Sequence, residues 1–235
     1  MQFLSIVKIA VTKLSEKSEG IHELFRRYGH EALIISTMVA ADPTNPAPLA
    51  SLAEMASKGT LDILIFTSAL GADKLFERAR PAKKVRIVSV GPKTAKKVGE
   101  YGCTSEVISD FSSEHFAKYL GDIRGKRIGI ARAEVPNPQL VSSLESGGAT
   151  VVEAPAYRLE PADRRFDDVL NETEAVIFTS ARSFEYSGFQ RDGKRNLILA
   201  AIGEKTAEAM RKHGFEPDIV GDGTLEKCLS LLNRK

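Results

Sequence analysis

The chain carries the stretch LDILIFTS at residues 61–68 and a second version of it, EAVIFTS, at residues 174–180. In each version a nearly continuous apolar run ends at Phe-Thr-Ser, and a helical pattern follows. Continuous apolar runs of this length are typical of parallel strands that are buried on both faces of a sheet. The two versions end at Ser68 and Ser180, and this repetition indicates that the chain contains two related halves.

Two further pairs of segments extend the repeat. GPKTA at residues 91–95 matches GEKTA at 203–207 with the same offset of 112 residues, whereas VKIAVTK at 7–13 matches KRIGIAR at 126–132 with an offset of 119. Each matched piece belongs to a longer segment that contains an apolar run, a turn and an amphipathic helix. Strands that alternate with helices in this way predict parallel sheets with helices on both faces. The sequence therefore predicts an α/β protein with two domains.

The composition excludes several classes of protein. The 235 residues have a formal net charge of +2, which gives no broad basic surface for duplex DNA, so we expect no nucleic-acid partner. The two cysteines have no CxxC spacing, which favours a reduced, cytoplasmic protein, and the four histidines form no zinc-binding pair. No apolar run approaches the ~18 residues that a membrane span requires.

The repeated signals fall where strands end and helices begin, which is the edge at which open parallel sheets bind ligands. Ser68 and Ser180 follow the strands, and the free backbone N–H groups at such helix starts attract anions. Gly91 and Gly203 would let a ligand approach the backbone, and Lys93 and Lys205 would add positive charge. The alternative is that the serines only cap helices and the lysines only face water. The presence of two copies favours a site for a large polyanionic ligand.

At these residues the chain resembles uroporphyrinogen-III synthase. The resemblance rests on the two FTS strand ends, VGPKTA at 90–95, IGEKTAEAMRKHGFEPDIV at 202–220, IAR at 130–132 and Ala156-Tyr157-Arg158. It implies two α/β domains with parallel sheets flanked by helices and joined by a two-stranded linker. The implied boundaries are 1–38 with 160–235 for the first domain, 44–153 for the second, and 39–43 with 154–159 for the linker strands.

The resemblance also implies an activity. The family closes linear hydroxymethylbilane into uroporphyrinogen III, inverts the last pyrrole ring and releases water, so the chain is expected to be a lyase of tetrapyrrole synthesis. No metal and no organic cofactor is implied, and the expected partner is a small linear tetrapyrrole that carries many carboxylates. We further expect a cytoplasmic monomer that binds no membrane. The alternative is a non-catalytic two-domain protein that binds an acidic metabolite.

The site residues follow from the resemblance position by position. Tyr157 matches the tyrosine at the family's mid-chain crossover, which assists loss of the hydroxyl of the substrate. The residue at the matching position of the other half, which we call its repeat mate, is Met38. Only one half therefore carries a phenol at this position. The alternative for Tyr157 is a core tyrosine with a paired hydroxyl. For the two strand-end cations, Lys13 and Arg132, the alternative is a surface position. The implied substrate-binding residues are Lys13, Ser68, Gly91, Lys93, Thr94, Arg132, Ser180, Gly203, Lys205 and Thr206.

Overall fold

A computed structural model describes residues 7–13, 20–108, 113–162, 166, 170–190 and 197–234 of the chain. It divides the chain into two compact units, which we name unit 1 and unit 2. Unit 1 comprises Met1–Val39 with Glu160–Lys235, and unit 2 comprises Ala40–Leu159. Each unit is built on its own sheet. The described helices include none that is long and apolar enough to cross a membrane.

Unit 1 contains a five-stranded sheet whose strands are taken from both ends of the chain. The strand order is β11-β10-β9-β1-β2, and every neighbouring pair is parallel. Its strands are β1 (Lys8–Thr12), β2 (Glu31–Ile35), β9 (Ala175–Phe178), β10 (Ile198–Ala201) and β11 (Ile219–Val220), and its described helices are α1 (Ile21–Arg27), α7 (Ala181–Glu185), α8 (Glu204–Lys212) and α9 (Leu225–Leu232).

Unit 2 contains a six-stranded sheet in the order β3-β8-β7-β4-β5-β6. The pairs from β8 through to β6 are parallel. Its strands are β3 (Met38–Ala41), β4 (Ile63–Phe66), β5 (Arg86–Val90), β6 (Glu106–Ile108), β7 (Arg127–Ala133) and β8 (Thr150–Pro161), and its described helices are α2 (Ala47–Lys58), α3 (Ala69–Phe76), α4 (Pro92–Glu100), α5 (Ser113–Leu120) and α6 (Pro138–Ser146).

The two sheets repeat the same strand order with the predicted offsets. Strands β4 and β5 of unit 2 correspond to β9 and β10 of unit 1, and β7 and β8 correspond to β1 and β2. The prediction of an α/β fold with parallel sheets flanked by helices is therefore confirmed. The first β-α-β segment of the chain pairs with its C-terminal third, because β1 lies between β2 and β9.

Each sheet is buried on both faces, as the continuous apolar runs predict. In β4, Leu64 and Phe66 pack with helices α2, α3 and α4, whereas Ile63 and Ile65 pack with α5 and α6. In β9 the same alternation holds, with Ile177 on the α1 and α9 side and Phe178 on the α7 and α8 side. Successive side chains of a strand point to opposite faces, so an apolar residue is required at every position.

The segments predicted as linker strands belong to longer strands. Residues 39–41 lie in β3, and residues 154–159 lie inside β8, which continues without a break from Thr150 to Pro161. In the strand order β3 lies next to β8 at one edge of the sheet of unit 2. The limits of the units, after Val39 and after Leu159, fall within these two strands. The precise domain boundaries given above remain predictions.

Glycine is required where helix α3 approaches strand β7. A Cβ atom added to Gly71 would lie 2.8 Å from the carbonyl oxygen of Ala131 and 3.2 Å from Ser68 Oγ. The first distance is shorter than real Cβ contacts, and the obstacle is backbone of a central strand. The first turn of α3 can therefore lie against the end of β7 only because residue 71 has no side chain.

We expect Gly71→Ala to lower the free energy of unfolding by roughly 1–3 kcal/mol, as overpacking of a tight contact does. Gly99→Ala is the matched control, because Gly99 lies in the exposed face of α4 with nothing within 4 Å of an added Cβ. This control should raise stability by roughly 0.5–1 kcal/mol. Urea unfolding of both variants measures the difference, and equal midpoints for the two would contradict the packing argument.

Candidate functional site

In unit 2 the predicted residues Ser68 and Tyr157 are in contact. Ser68 caps α3, and its Oγ accepts the backbone N–H of Gly71 at 3.1 Å. The Tyr157 hydroxyl donates to the same Ser68 Oγ at 3.2 Å. Tyr157 is only 4% exposed and packs in the apolar layer between the sheet and helices α2 to α4. Both the buried ring and the paired hydroxyl fit the alternative of a core tyrosine, so a catalytic role for Tyr157 stays a prediction.

An irregularity in strand pairing places Tyr157 on this face of the sheet. Arg132 is paired with Pro155, but the next residue, Ala133, is paired with Tyr157, so Ala156 is extra in β8. In a regular strand Ala156 and Tyr157 would point to opposite faces. Both lie in the same apolar layer, because a bulge of one residue shifts the alternation. The backbone N–H of Glu134 donates to the Tyr157 carbonyl at 2.7 Å and fixes the bulge.

The second predicted turn of unit 2 joins β5 to α4. Gly91 adopts φ 79°, a left-handed conformation that favours glycine, and its N–H donates to the Ile108 carbonyl at 2.9 Å. Pro92 begins the helix and Lys93 is exposed. Thr94 is 4% exposed, and its hydroxyl has no hydrogen-bond partner among the described residues. The turn thus brings an exposed cation next to a threonine hydroxyl that is open to a ligand.

Arg132 lies at the end of β7 as predicted, but it is already paired. Its Nε donates to the Glu153 carboxylate on neighbouring strand β8 at 2.5 Å, and the Arg132 side chain is only 14% exposed. A role for Arg132 toward a ligand stays a prediction, and an anionic ligand would have to compete with Glu153. Sequence reasoning missed Glu153, because residues of opposite charge on adjacent parallel strands are far apart along the chain.

In unit 1 the matching strand end carries a network of hydroxyl groups. Ser180 caps α7 by accepting the N–H of Ser183 at 3.0 Å, and Ser183 Oγ accepts the N–H of Ser180 at 3.0 Å. The Thr12 hydroxyl, at the end of β1, donates to Ser183 Oγ at 2.9 Å and accepts the N–H of Thr179 at 3.0 Å. Thr37 adds a bond from its hydroxyl to the Ser183 carbonyl at 2.9 Å. Together these contacts fix the FTS turn of unit 1.

The two strand ends reach the same backbone shape with different side chains. Ser183 is the repeat mate of Gly71, and Thr12 is the repeat mate of Ala131. In unit 1 the two hydroxyls meet each other, whereas in unit 2 the bare Gly71 packs directly on the Ala131 backbone. Sequence reasoning missed Thr12 and Ser183. A comparison of the two halves residue by residue would have found them, since hydroxyl residues replace Gly and Ala at both positions.

The second predicted turn of unit 1 joins β10 to α8. Gly203 has φ −168°, which any residue adopts, so the expectation that glycine serves the approach of a ligand is not needed here. Its missing side chain instead makes room for Gly223, whose N atom would lie 3.3 Å from an added Cβ. Lys205 is exposed, and Thr206 is 3% exposed with no partner for its hydroxyl among the described residues.

Lys13 follows β1 and is half-buried. It lines an open cavity of about 410 Å³ at the strand ends of unit 1. Arg27 of α1 and Thr224, the N-cap of α9, line the same cavity. The lining of this cavity therefore contains two cations, Lys13 and Arg27, and one carboxylate, Glu226.

Among the described residues, the repeated Lys-Thr turns carry one carboxylate, Glu204, which accepts a hydrogen bond from Arg211 at 2.6 Å. Burial raises the pKa of the Cys228 thiol to about 11, so that thiol stays protonated. The Tyr101 hydroxyl donates to Asp73 Oδ1 at 2.5 Å, and this bond to a carboxylate raises its pKa. The described residues contain no group of three or more His, Cys, Asp or Glu that could hold a metal ion. The chemistry that the strand ends offer is that of hydroxyls, backbone amides and a few cations.

The hydroxyl network of unit 1 gives a prediction about stability. Thr12→Ala and Ser183→Gly should each lower the free energy of unfolding by roughly 1–3 kcal/mol, because each leaves buried polar groups without a partner. The double variant recreates the Gly–Ala pair of unit 2, so its loss should be smaller than the sum of the single losses. Urea unfolding of the three variants tests this coupling.

Thr173→Ala is the matched control for that experiment. Thr173 is also a buried threonine of unit 1, but its hydroxyl donates to the Leu170 carbonyl, which keeps the N–H of residue 173 as a second donor. Thr173→Ala should therefore lower the free energy of unfolding by less than Thr12→Ala does. Strictly additive losses at positions 12 and 183 would show that the network does not act as a unit.

Comparisons with known proteins point to one family. A family model described as uroporphyrinogen-III synthase HemD matches residues 19–169 and 160–235. A Methanothermobacter thermautotrophicus protein that carries a provisional uroporphyrinogen-III synthase name is 30% identical over 231 residues, which cover 88% of this chain and 90% of the relative. A uroporphyrinogen-III synthase from Synechococcus elongatus is 27% identical, with coverage of 74% and 71%. The crystal structure of uroporphyrinogen-III synthetase from Helicobacter pylori shares the fold, with a TM-score of 0.61, 19% identity and coverage of 97% and 99%.

Proposed function

This chain belongs to the uroporphyrinogen-III synthase family, and we propose how its strand ends carry out the reaction of that family. Its activity is that of a uroporphyrinogen-III synthase, a lyase of porphyrin biosynthesis. In the proposed reaction a linear hydroxymethylbilane loses its terminal hydroxyl and closes to uroporphyrinogen III with the last pyrrole ring inverted. The observation that carries the proposal is the Tyr157 hydroxyl, held beside Ser68 at a strand end.

The proposed task of the protein is to hold the two ends of the substrate in a productive geometry. Departure of the hydroxyl gives a cationic azafulvene, which attack at a substituted pyrrole carbon converts to a spiro intermediate. Correct placement of reacting groups alone accounts for a large part of many rate enhancements. Strand ends that present hydroxyls, amides and cations, without a histidine or a carboxylate dyad, support a positioning role of this kind.

The carboxylates of the substrate are the groups that the strand ends would bind. Backbone N–H groups at helix starts attract anions, and the exposed Lys93 and Lys205 lie in the first turns of α4 and α8. The hydroxyls of Thr94 and Thr206 would donate to the same carboxylates. The proposed substrate-binding residues are Lys13, Ser68, Gly91, Lys93, Thr94, Arg132, Ser180, Gly203, Lys205 and Thr206.

Tyr157 is the proposed proton donor to the leaving hydroxyl. The repeat mate of Tyr157 is Met38, so the phenol occurs in one half only, as a reaction at one end of the substrate requires. We propose further that the protein works as a cytoplasmic monomer without a metal or an organic cofactor and binds no nucleic acid. The low net charge supports the lack of a nucleic-acid partner, and the absence of a CxxC pair supports a reduced compartment.

Three substitutions test the assignment of roles. Tyr157→Phe should lower kcat by ~10²-fold, the lower end of the range for general acid catalysis, because loss of this hydroxyl is intrinsically easy. Thr94→Ala and Thr206→Ala should each have a smaller effect, since neighbouring amides still hold the carboxylates. The measurement is the initial rate of uroporphyrinogen III formation from hydroxymethylbilane, with isomer I counted separately. A Tyr157→Phe enzyme as fast as the parent would remove Tyr157 from the mechanism, and a parent that binds but never converts the substrate would favour a binding protein.

The ion pair of Arg132 with Glu153 gives a prediction about substrate affinity. Glu153→Gln removes the charge that competes with a substrate carboxylate, so KM should fall by about threefold, in the range of a partly exposed ion pair. Glu106→Gln is the matched control. Glu106 accepts two bonds from Arg86, at 2.6 and 2.7 Å, between strands β6 and β5 of the same sheet.

The two pairs differ in which edge of the sheet they occupy. Arg86 and Glu106 begin their strands, so they lie at the amino edge, while Arg132 lies at the carboxyl edge. Glu106→Gln should therefore leave KM unchanged. The same fall in KM for both variants would indicate a general effect of net charge, and no fall for Glu153→Gln would remove Arg132 from the substrate-binding set.

A further inference from the structure

The Ser68 hydroxyl oxygen joins the helix cap to the phenol of Tyr157. It accepts the N–H of Gly71 at 3.1 Å and lies 3.2 Å from the Tyr157 hydroxyl oxygen. A hydroxyl has one proton to donate and two lone pairs that accept. In both of these bonds Ser68 Oγ is the acceptor, and the Tyr157 oxygen lies within reach of the Ser68 proton. The pair can therefore reverse its hydrogen bond, so that Ser68 donates and Tyr157 accepts.

We propose that Ser68 is a positioning residue that acts through Tyr157, by orienting the phenol and donating to its oxygen while Tyr157 protonates the leaving group. This inference rests on the proposed function of Tyr157. It assigns the Ser68 side chain to the tyrosine rather than to a substrate carboxylate. The backbone at residue 68 keeps its place at the helix start.

The proposed proton transfer is balanced. The C–O bond of the hydroxymethyl group breaks, both electrons stay on the oxygen, and the Tyr157 proton converts that oxygen into water. Tyr157 becomes a phenolate, and the hydrogen bond from Ser68 stabilises the new negative charge, since bonds to charged acceptors are stronger than those to neutral ones. The pyrrole carbon that forms the last ring bond then releases a proton, which restores the phenol.

The surroundings of the pair fit a positioning role. The Tyr157 ring is buried and cannot move freely, because the bulge in β8 and the apolar layer of unit 2 hold it. Ser68 is held in turn by the N–H of Gly71, and Gly71 is held by its close contact with Ala131. Ser180 is the same kind of cap in unit 1, and unit 1 has Met38 at the position that matches Tyr157. Of these two caps, Ser68 is the one whose hydroxyl contacts the phenol of Tyr157.

A double-mutant cycle tests the proposal with purified full-length protein and hydroxymethylbilane. Ser68→Ala in the parent should lower kcat by about tenfold with little change in KM, because a hydrogen bond to a developing charge is lost. In the Tyr157→Phe background the same substitution should leave kcat unchanged. Ser68→Gly is made in parallel, since glycine at an N-cap costs the helix less than alanine does. It keeps the test available if the alanine variant does not fold.

Asn137→Ala separates loss of a cap from loss of the phenol contact. Asn137 caps α6 in the same unit by accepting the N–H of Leu140 at 3.2 Å. Asn137→Ala should lower the melting temperature about as much as Ser68→Ala does, while its kcat stays at the parent value. An equal fall in kcat for Ser68→Ala with and without the Tyr157 hydroxyl, no fall at all, or a rise in KM alone would overturn the proposal. A fully active Tyr157→Phe enzyme would instead overturn the proposed function.

Discussion

The junction at which a buried parallel strand turns into a helix, closed by a serine cap, is the feature on which the rest of each unit depends. A strand that is buried on both faces must end with its carbonyls and the first N–H groups of the next helix satisfied. Ser68 and Ser180 meet this requirement by accepting an N–H of the first turn. The cap fixes where the helix starts, and with it the positions of the side chains and amides that face a ligand.

The two halves show that one backbone can meet this requirement in two ways. In unit 1 the hydroxyls of Thr12 and Ser183 fill the space between helix α7 and strand β1. In unit 2 Gly71 and Ala131 leave no space, and the hydroxyl that reaches the cap comes from Tyr157. One half thus has a self-contained polar network, while the other has a phenol in contact with its cap. This difference is the basis for the proposal that the phenol side of the repeat is the reacting one.

Packing and hydrogen bonds hold the side chains of these strand ends more firmly than ion pairs do. Arg132 is held by Glu153, so its affinity for an anion depends on a competing carboxylate. Lys93 and Lys205 are exposed and are placed only by the first turns of their helices. Cations that are loosely held, together with oriented amides, suit a substrate with many carboxylates, since several weak contacts can place it without binding the product too tightly.

The sequence by itself determined the repeat, the α/β class, the ends of the strands and the family, because periodicity, glycines and caps are local signals and the two copies reinforce each other. It also located Ser68 and the two Lys-Thr turns, where strands meet helices, and Tyr157, which lies within strand β8. Only the tertiary structure decided that Tyr157 contacts Ser68, that Arg132 is paired with Glu153, and that Gly203 makes room for Gly223. The physical reason is that these contacts depend on strand register, a one-residue bulge and close backbone approach, which join residues far apart in the chain.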